Sequence, residues 1–202
     1  MKKPLAILSL IILCTGLQAR VPRVCAGIEW GADIQILSAH KYNYVSHEGY
    51  RVNEKWSGGD YNLNASLLAN ISVNLGENFR LGVYGGIGGL TSGQTMVPLT
   101  LRASLFPKGM GEDGFLWFAE GGTGFHINKD YALHQGPCGI VQLGGGYRYM
   151  LGKQSSIDFL VKTRTIFDKP LIKDPDGNGY VKDVRYSAGE YMAICFAIAI
   201  NF

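Results

Sequence analysis

Tyr61, Asn62, Leu63, Asn64, Ala65, Ser66, Leu67, Leu68, Ala69, Asn70, Ile71, Ser72, Val73, Asn74, Leu75: over these 15 positions apolar and polar residues alternate, with Leu68 the single departure. Successive side chains of a β-strand point to opposite faces, so a period of two sorts one face from the other. Here the odd positions make an apolar face and the even positions a face of asparagine and serine. The run is longer than the roughly 9 to 11 residues a tilted strand needs to cross a bilayer.

Working outward, seven more segments carry the same period. Ile28, Trp30, Ala32, Ile34 and Ile36 alternate with Gly27, Glu29, Gly31, Asp33 and Gln35. Phe79 to Leu90, Val97 to Phe106, Phe115 to Ile127, Gly139 to Met150 and Ser156 to Phe167 follow. The chain closes with Met192, Ile194, Phe196, Ile198, Ile200 and Phe202 alternating with Tyr191, Ala193, Cys195, Ala197, Ala199 and Asn201. Pro98 is expected near a strand start, where its missing amide is tolerated. The polar face of the fifth segment is interrupted near Phe118.

Eight antiparallel strands can close on themselves, which removes unpaired edges and returns both termini to one side. Gly76 to Asn78 and Leu151 to Ser155 read as tight turns and Pro107 to Gly114 as a longer one, all at one end; Ala39 to Asp60 and Asp168 to Gly189 read as long loops at the other. The expected fold is therefore all-β, an eight-stranded antiparallel up-and-down transmembrane β-barrel with short periplasmic turns and longer extracellular loops.

A soluble cavity barrel has the same alternation, so the direction of the apolar face decides. Glu29, Asp33, Glu120 and Asp158 lie on the polar faces with Arg80, Arg102, Arg148, Lys162 and Arg164, a nearly balanced set able to pair in a narrow lumen. Glycines of the same faces, among them Gly82, Gly122, Gly124, Gly144 and Gly146, leave room for those side chains. Aromatics on the apolar faces gather at both ends: Phe79, Phe115, Trp117, Tyr147, Tyr149 and Phe202 near the turns, Tyr61, Phe125 and Phe167 near the loops. Two aromatic girdles place the apolar face outward, against lipid.

Residues 1–19 read as a signal peptide: Lys2 and Lys3 precede an apolar run from Leu5 to Leu13, too short to span as a helix, and Ala19 offers the small residue before a cleavage at Arg20. Leu13 before Cys14 argues against lipoprotein processing. Residues 20–202 then form one domain. It has no further stretch long enough for a membrane helix, which excludes a helical membrane protein. The formal net charge of +3 gives no basic stripe, so nucleic acid is not an expected partner. Cys25, Cys138 and Cys195 lack zinc spacing and are assigned packing roles without a disulfide.

The closing segment, Phe196, Ile198, Ile200, Asn201, Phe202, resembles the carboxy-terminal insertion signal of small bacterial outer-membrane β-barrel proteins. That resemblance implies delivery to the outer membrane of a Gram-negative cell after signal-peptide cleavage and insertion by the barrel-assembly machinery. Together with the signal peptide and the eight segments it covers the whole chain. The family includes adhesins, structural barrels, narrow pores and lipid-modifying enzymes.

Barrel enzymes acting on acyl chains use a histidine that takes a serine proton before attack, so His40, Ser46, His47 and Glu48, and separately His126, are the residues to weigh. His126 is followed by Asn128 rather than a serine two places on, and the loop cluster reads as a solvated loop; no catalytic residue is assigned. Asp174, Asp176, Asn178 and Gly179 resemble the opening of a calcium loop. Lys182 and Arg185 stand at later ligand places, so the segment reads as a turn-rich loop, with no metal or cofactor expected. The expected role is structural or surface-interacting, without catalysis, through long extracellular loops above a largely closed charged lumen. Outer-membrane lipid is an expected partner, and an extracellular ligand would meet the loops. A narrow transport pore is the alternative, and a lipid-modifying enzyme the third class.

Overall fold

The computed structural model describes residues 23–59, 61–91, 94–127, 136–152, 154–172, 181 and 183–202. The signal-peptide segment and the Asp174 to Gly179 motif lie outside the described residues. Among them nine strands follow in chain order: β1 (Val24–Val45), β2 (Arg51–Gly58), β3 (Asn62–Asn74), β4 (Phe79–Thr91), β5 (Gln94–Leu105), β6 (Gly114–His126), β7 (Cys138–Met150), β8 (Ser156–Asp168) and β9 (Val184–Asn201). β3 to β9 pair in sequence order, and β1 pairs with both β3 and β9, so eight strands form a closed antiparallel barrel. The expected eight-stranded antiparallel barrel is the fold adopted.

The ninth strand corrects the reading of residues 39–60 as a loop. β1 continues past the barrel to Val45, turns through residues 46–50, and returns as β2, with pairs from Val45↔Arg51 to Ser38↔Gly58. Gly49 makes the turn at φ +87°, a conformation glycine adopts without steric cost. Because Gln35 pairs with Asn62, β2 and β3 are two parts of one descending strand on the same edge of β1. The Asp168 to Gly189 loop is likewise shorter than expected, since β9 starts at Val184 and pairs with β1 at Tyr44. A three-stranded ribbon, β2–β1–β9, thus extends beyond the loop-side end.

Burial settles the faces. Along β3, Leu63, Leu67, Ala69, Ile71 and Val73 are exposed, while Ser66, Leu68, Asn70, Ser72 and Asn74 are buried. Trp30 and Trp117 are each 60% exposed, whereas Glu29 is 1% and Arg148 1%. In water that arrangement would leave a large apolar surface unburied; in a bilayer it is the favourable one. The girdle residues Phe79, Phe115, Trp117, Tyr147, Tyr149, Phe202, Tyr61, Phe125 and Phe167 are all exposed as expected. Phe115 and Tyr147 of neighbouring strands meet edge to face at 5.3 Å.

At the turn side, Leu75 donates to Phe79 and Leu151 to Ser155, closing two short connections. The β5–β6 connection folds back under the barrel instead. Met110 N–H donates to Glu77 and Phe106 N–H to Asn78, which buries Phe106 and Met110 with Leu116, Phe118, Leu160, Ala197 and Ala199. This apolar cluster closes the lumen from below. Pro98 departs from the expectation of a strand start: β5 begins at Gln94, and the β4–β5 register runs Gly88↔Met96 then Gly85↔Leu99, skipping the proline. Proline has no amide to donate there. Its pairing with Gly124 of β6 is kept.

Candidate functional site: the lumen and the loop-side rim

Inward positions of neighbouring strands lie side by side, so strands remote in sequence deliver opposite charges to one narrow space. Glu29 of β1 takes Arg102 Nη1 on Oε2 and Lys162 Nζ on Oε1, both at 2.6 Å. Arg102 also reaches Glu120 Oε2 at 2.6 Å, and Glu120 Oε1 accepts from Thr100 Oγ1 and Gln142 Nε2. Arg164 Nη1 donates to Asp33 Oδ2 at 2.6 Å. Nearer the turns, Arg148 grips Asp158 with two bonds of 2.7 and 2.6 Å, and Asn201 Nδ2 adds a third contact at 3.0 Å. The fork geometry of a guanidinium suits such bidentate pairing.

The sequence anticipated the four acids and five bases but not all of their partners. Arg80 makes its 2.8 Å bond to Asn74 Oδ1 rather than to a carboxylate and lies over Phe106. Asp168, read as the start of a loop, is buried and lies 3.1 Å from His126 Nε2. The apolar interruptions of the polar face have a function too. Arg102 is sandwiched between Tyr84 and Phe118, with its Cζ 3.9 and 4.4 Å from the two ring centroids. Cation–π contacts of this kind are worth about 2 kcal/mol or more when desolvated. Gly144 leaves the space that Phe118 and Lys162 fill: a Cβ there would come within 2.6 Å of both side chains.

Above the charged layer, Met96, Cys138, Ile140, Ile166 and Tyr191 form a second apolar cluster. The lumen is therefore layered: apolar plug, ion-pair network, apolar layer. Cys25, Cys138 and Cys195 are all buried.

The histidine and serine candidates are not brought together as a nucleophile and its base. His40 stacks on Tyr42 and Trp56, and its Nδ1 lies 2.9 Å from Tyr42 Oη. Ser46 is six residues farther along the chain, about 20 Å of extended strand. Its Oγ is buried and makes no hydrogen bond among the described residues. His47 and Glu48 are exposed at the hairpin tip. The partner that His126 receives is Asp168.

Outside the barrel at the loop end, a groove of about 510 Å³ runs across β8, β9, β1 and β2. Lys41 and Lys55 face each other across β1 and β2 in it, and Lys41 Nζ is 5.3 Å from the Tyr186 ring centroid. No helix among the described residues is long and apolar enough to cross a membrane.

No protein-family model matches the chain, and none of the curated proteins does. Solved structures do. The outer membrane protein OprG from Pseudomonas aeruginosa has a TM-score of 0.54 and 7% identity over 92% of this chain and 99% of that one. The outer membrane protease OmpT from Escherichia coli has a TM-score of 0.43 at 10% identity, with 89% and 96% covered. Neisserial surface protein A has 0.35 at 10% identity, with 85% and 96% covered. At 7% identity the likeness to OprG is one of fold, and that fold, the eight-stranded outer-membrane β-barrel, is the one this chain adopts.

Proposed function

We propose that this chain is an outer-membrane barrel of a Gram-negative envelope with a structural or surface-interaction role, a non-conducting lumen and no catalysis of its own. In this reading residues 1–19 are removed on export, the mature chain starts at Arg20, and the barrel-assembly machinery inserts it by way of the β9 end. The observation that carries the non-conducting part is the filled interior: Arg148, Lys162, Glu29, Asp33 and Gln142 are each no more than 2% exposed, with apolar clusters on both sides. A water-filled path would leave those side chains solvated. The β2–β1–β9 ribbon supports the surface role, because Arg51, Asn53, Glu54, Arg185 and Tyr186 stand exposed on ordered strands beyond the barrel wall.

The test is conductance of the purified, refolded full chain in planar bilayers. Silence at moderate voltage is the expected result, and reproducible unitary steps would favour the transport pore. Mass analysis of lipid A and phospholipids from expressing cells addresses the enzyme class, with unchanged lipids expected.

A further inference from the structure

From the loop-side groove we infer a specific lipid site: it binds the phosphate-bearing headgroup of a membrane lipid in the leaflet facing the loops. Three lysines converge there along one cross-strand row. Lys55 of β2 pairs with Lys41 of β1, Lys41 pairs with Ala188 of β9, and Lys169 follows the last β8–β9 pair, Asp168↔Gly189. All three lysines are exposed and line the same groove, and Ala188 leaves its floor shallow. Like charges directly opposed on neighbouring strands are unfavourable in themselves, and an anion between them removes the penalty. Neither Lys41 nor Lys55 makes an ion pair among the described residues. Two carboxylates line the groove with three ammonium groups: Asp168, which is buried against His126, and Glu190, on the membrane side of the row.

Height along the barrel names the anion. Phe167, 49% exposed, belongs to the loop-side aromatic girdle. Lys169 lies two residues farther along the same face, roughly 7 Å above it. Interfacial aromatics sit at headgroup level, and basic side chains just beyond them meet lipid phosphates. Volume agrees: about 510 Å³ holds a phosphorylated sugar or glycerol headgroup, far more than one inorganic phosphate. Tyr186 supplies a wall against which the headgroup can lie.

This inference rests on the outer-membrane reading, and the experiment separates the two. The full chain carrying Trp30→Phe and Trp117→Phe, so that Trp56 in the groove is the only tryptophan, is refolded in zwitterionic micelles. It is then titrated with bis-phosphorylated lipid A, with the same lipid A dephosphorylated, and with inorganic phosphate. Trp56 emission should saturate with the phosphorylated lipid at a concentration at least about tenfold below that for the dephosphorylated one. Inorganic phosphate should produce no saturation in that range. Replacing Lys41, Lys55 and Lys169 together by Gln should abolish the preference, while Lys108→Gln at the turn end keeps it. Equal binding of the two lipids, a preference that survives the triple replacement, or saturation by inorganic phosphate alone overturns the proposal. Heat-shifted gel mobility of the same samples reads the barrel itself: its loss overturns the membrane reading, and lost preference with the shift intact overturns only this one.

Discussion

Lys162 of β8 reaches across the barrel to Glu29 of β1, 133 residues away in sequence, and its Nζ lies 2.6 Å from Glu29 Oε1. The same carboxylate receives Arg102 of β5 on its other oxygen. One acid thus ties three strands from three sides of the wall. Removing a single partner of a buried pair is far more costly than the net worth of the pair, because it leaves an uncompensated charge.

Glu29→Gln leaves Lys162 without its carboxylate and Arg102 with Glu120 alone. We expect a loss of about 3 to 5 kcal/mol. Glu29→Gln combined with Lys162→Gln should cost less than the two single changes added together. Urea unfolding of barrels reconstituted in lipid vesicles measures both.

Tyr84 and Phe118 sandwich Arg102, so each ring should matter beyond its volume. Phe118→Leu keeps an apolar side chain but removes the π-face, with an expected cost of about 1 to 2 kcal/mol. Combining it with Tyr84→Leu and comparing the sum in the same assay reports whether the two rings act on one guanidinium. Strict additivity would argue against the sandwich.

Phe202 closes β9 through two backbone bonds to Ala26, and its side chain is 58% exposed. Phe202→Ala keeps those bonds. Assembled protein in cells should fall several-fold, with degradation or periplasmic aggregation, while barrels refolded in vitro unfold near the wild-type urea concentration. Normal assembly in cells would show that Phe202 is not part of an insertion signal.

Ala69 and Asn70 are adjacent at mid-strand, one exposed and the other 4% exposed inside the barrel. Ala69→Arg should destabilise by about 2 to 4 kcal/mol near the bilayer midplane. The Asn70 amide makes no hydrogen bond among the described residues, so Asn70→Ser should cost less. Refolding into vesicles compares the two directly.

The barrel was legible because lipid on one side and charge on the other impose a strict period of two on Tyr61 to Leu75 and its counterparts. Where strands leave the bilayer that constraint disappears. Asn53, Glu54 and Lys55 of β2 are polar on both faces and nearly all exposed, so the hairpin reads as loop in sequence. The first turns of β9 beyond the wall, Val184 to Gly189, are hidden for the same reason. Leu68 and Phe118 looked like faults in the pattern; both point inward, and Phe118 packs on a guanidinium. The His126–Asp168 contact joins residues 42 apart on non-adjacent strands, and nothing local in the sequence announces it. The lysine row is of the same kind, since β8, β9, β1 and β2 meet only when the barrel closes.

The face assignment underlies the closed lumen, the ribbon and the lipid groove alike, and Trp30 tests it most directly. It is 60% exposed in the middle of the barrel portion of β1, one residue from the buried Glu29. In vesicles, a chain with Trp56→Phe and Trp117→Phe keeps Trp30 as its only tryptophan. With Trp30 facing lipid, its emission should be quenched strongly by lipids brominated in mid-chain and little by aqueous iodide. Quenching by iodide with none from the brominated lipids would put the apolar face in water or in a cavity, and would contradict the outward assignment on which the function rests.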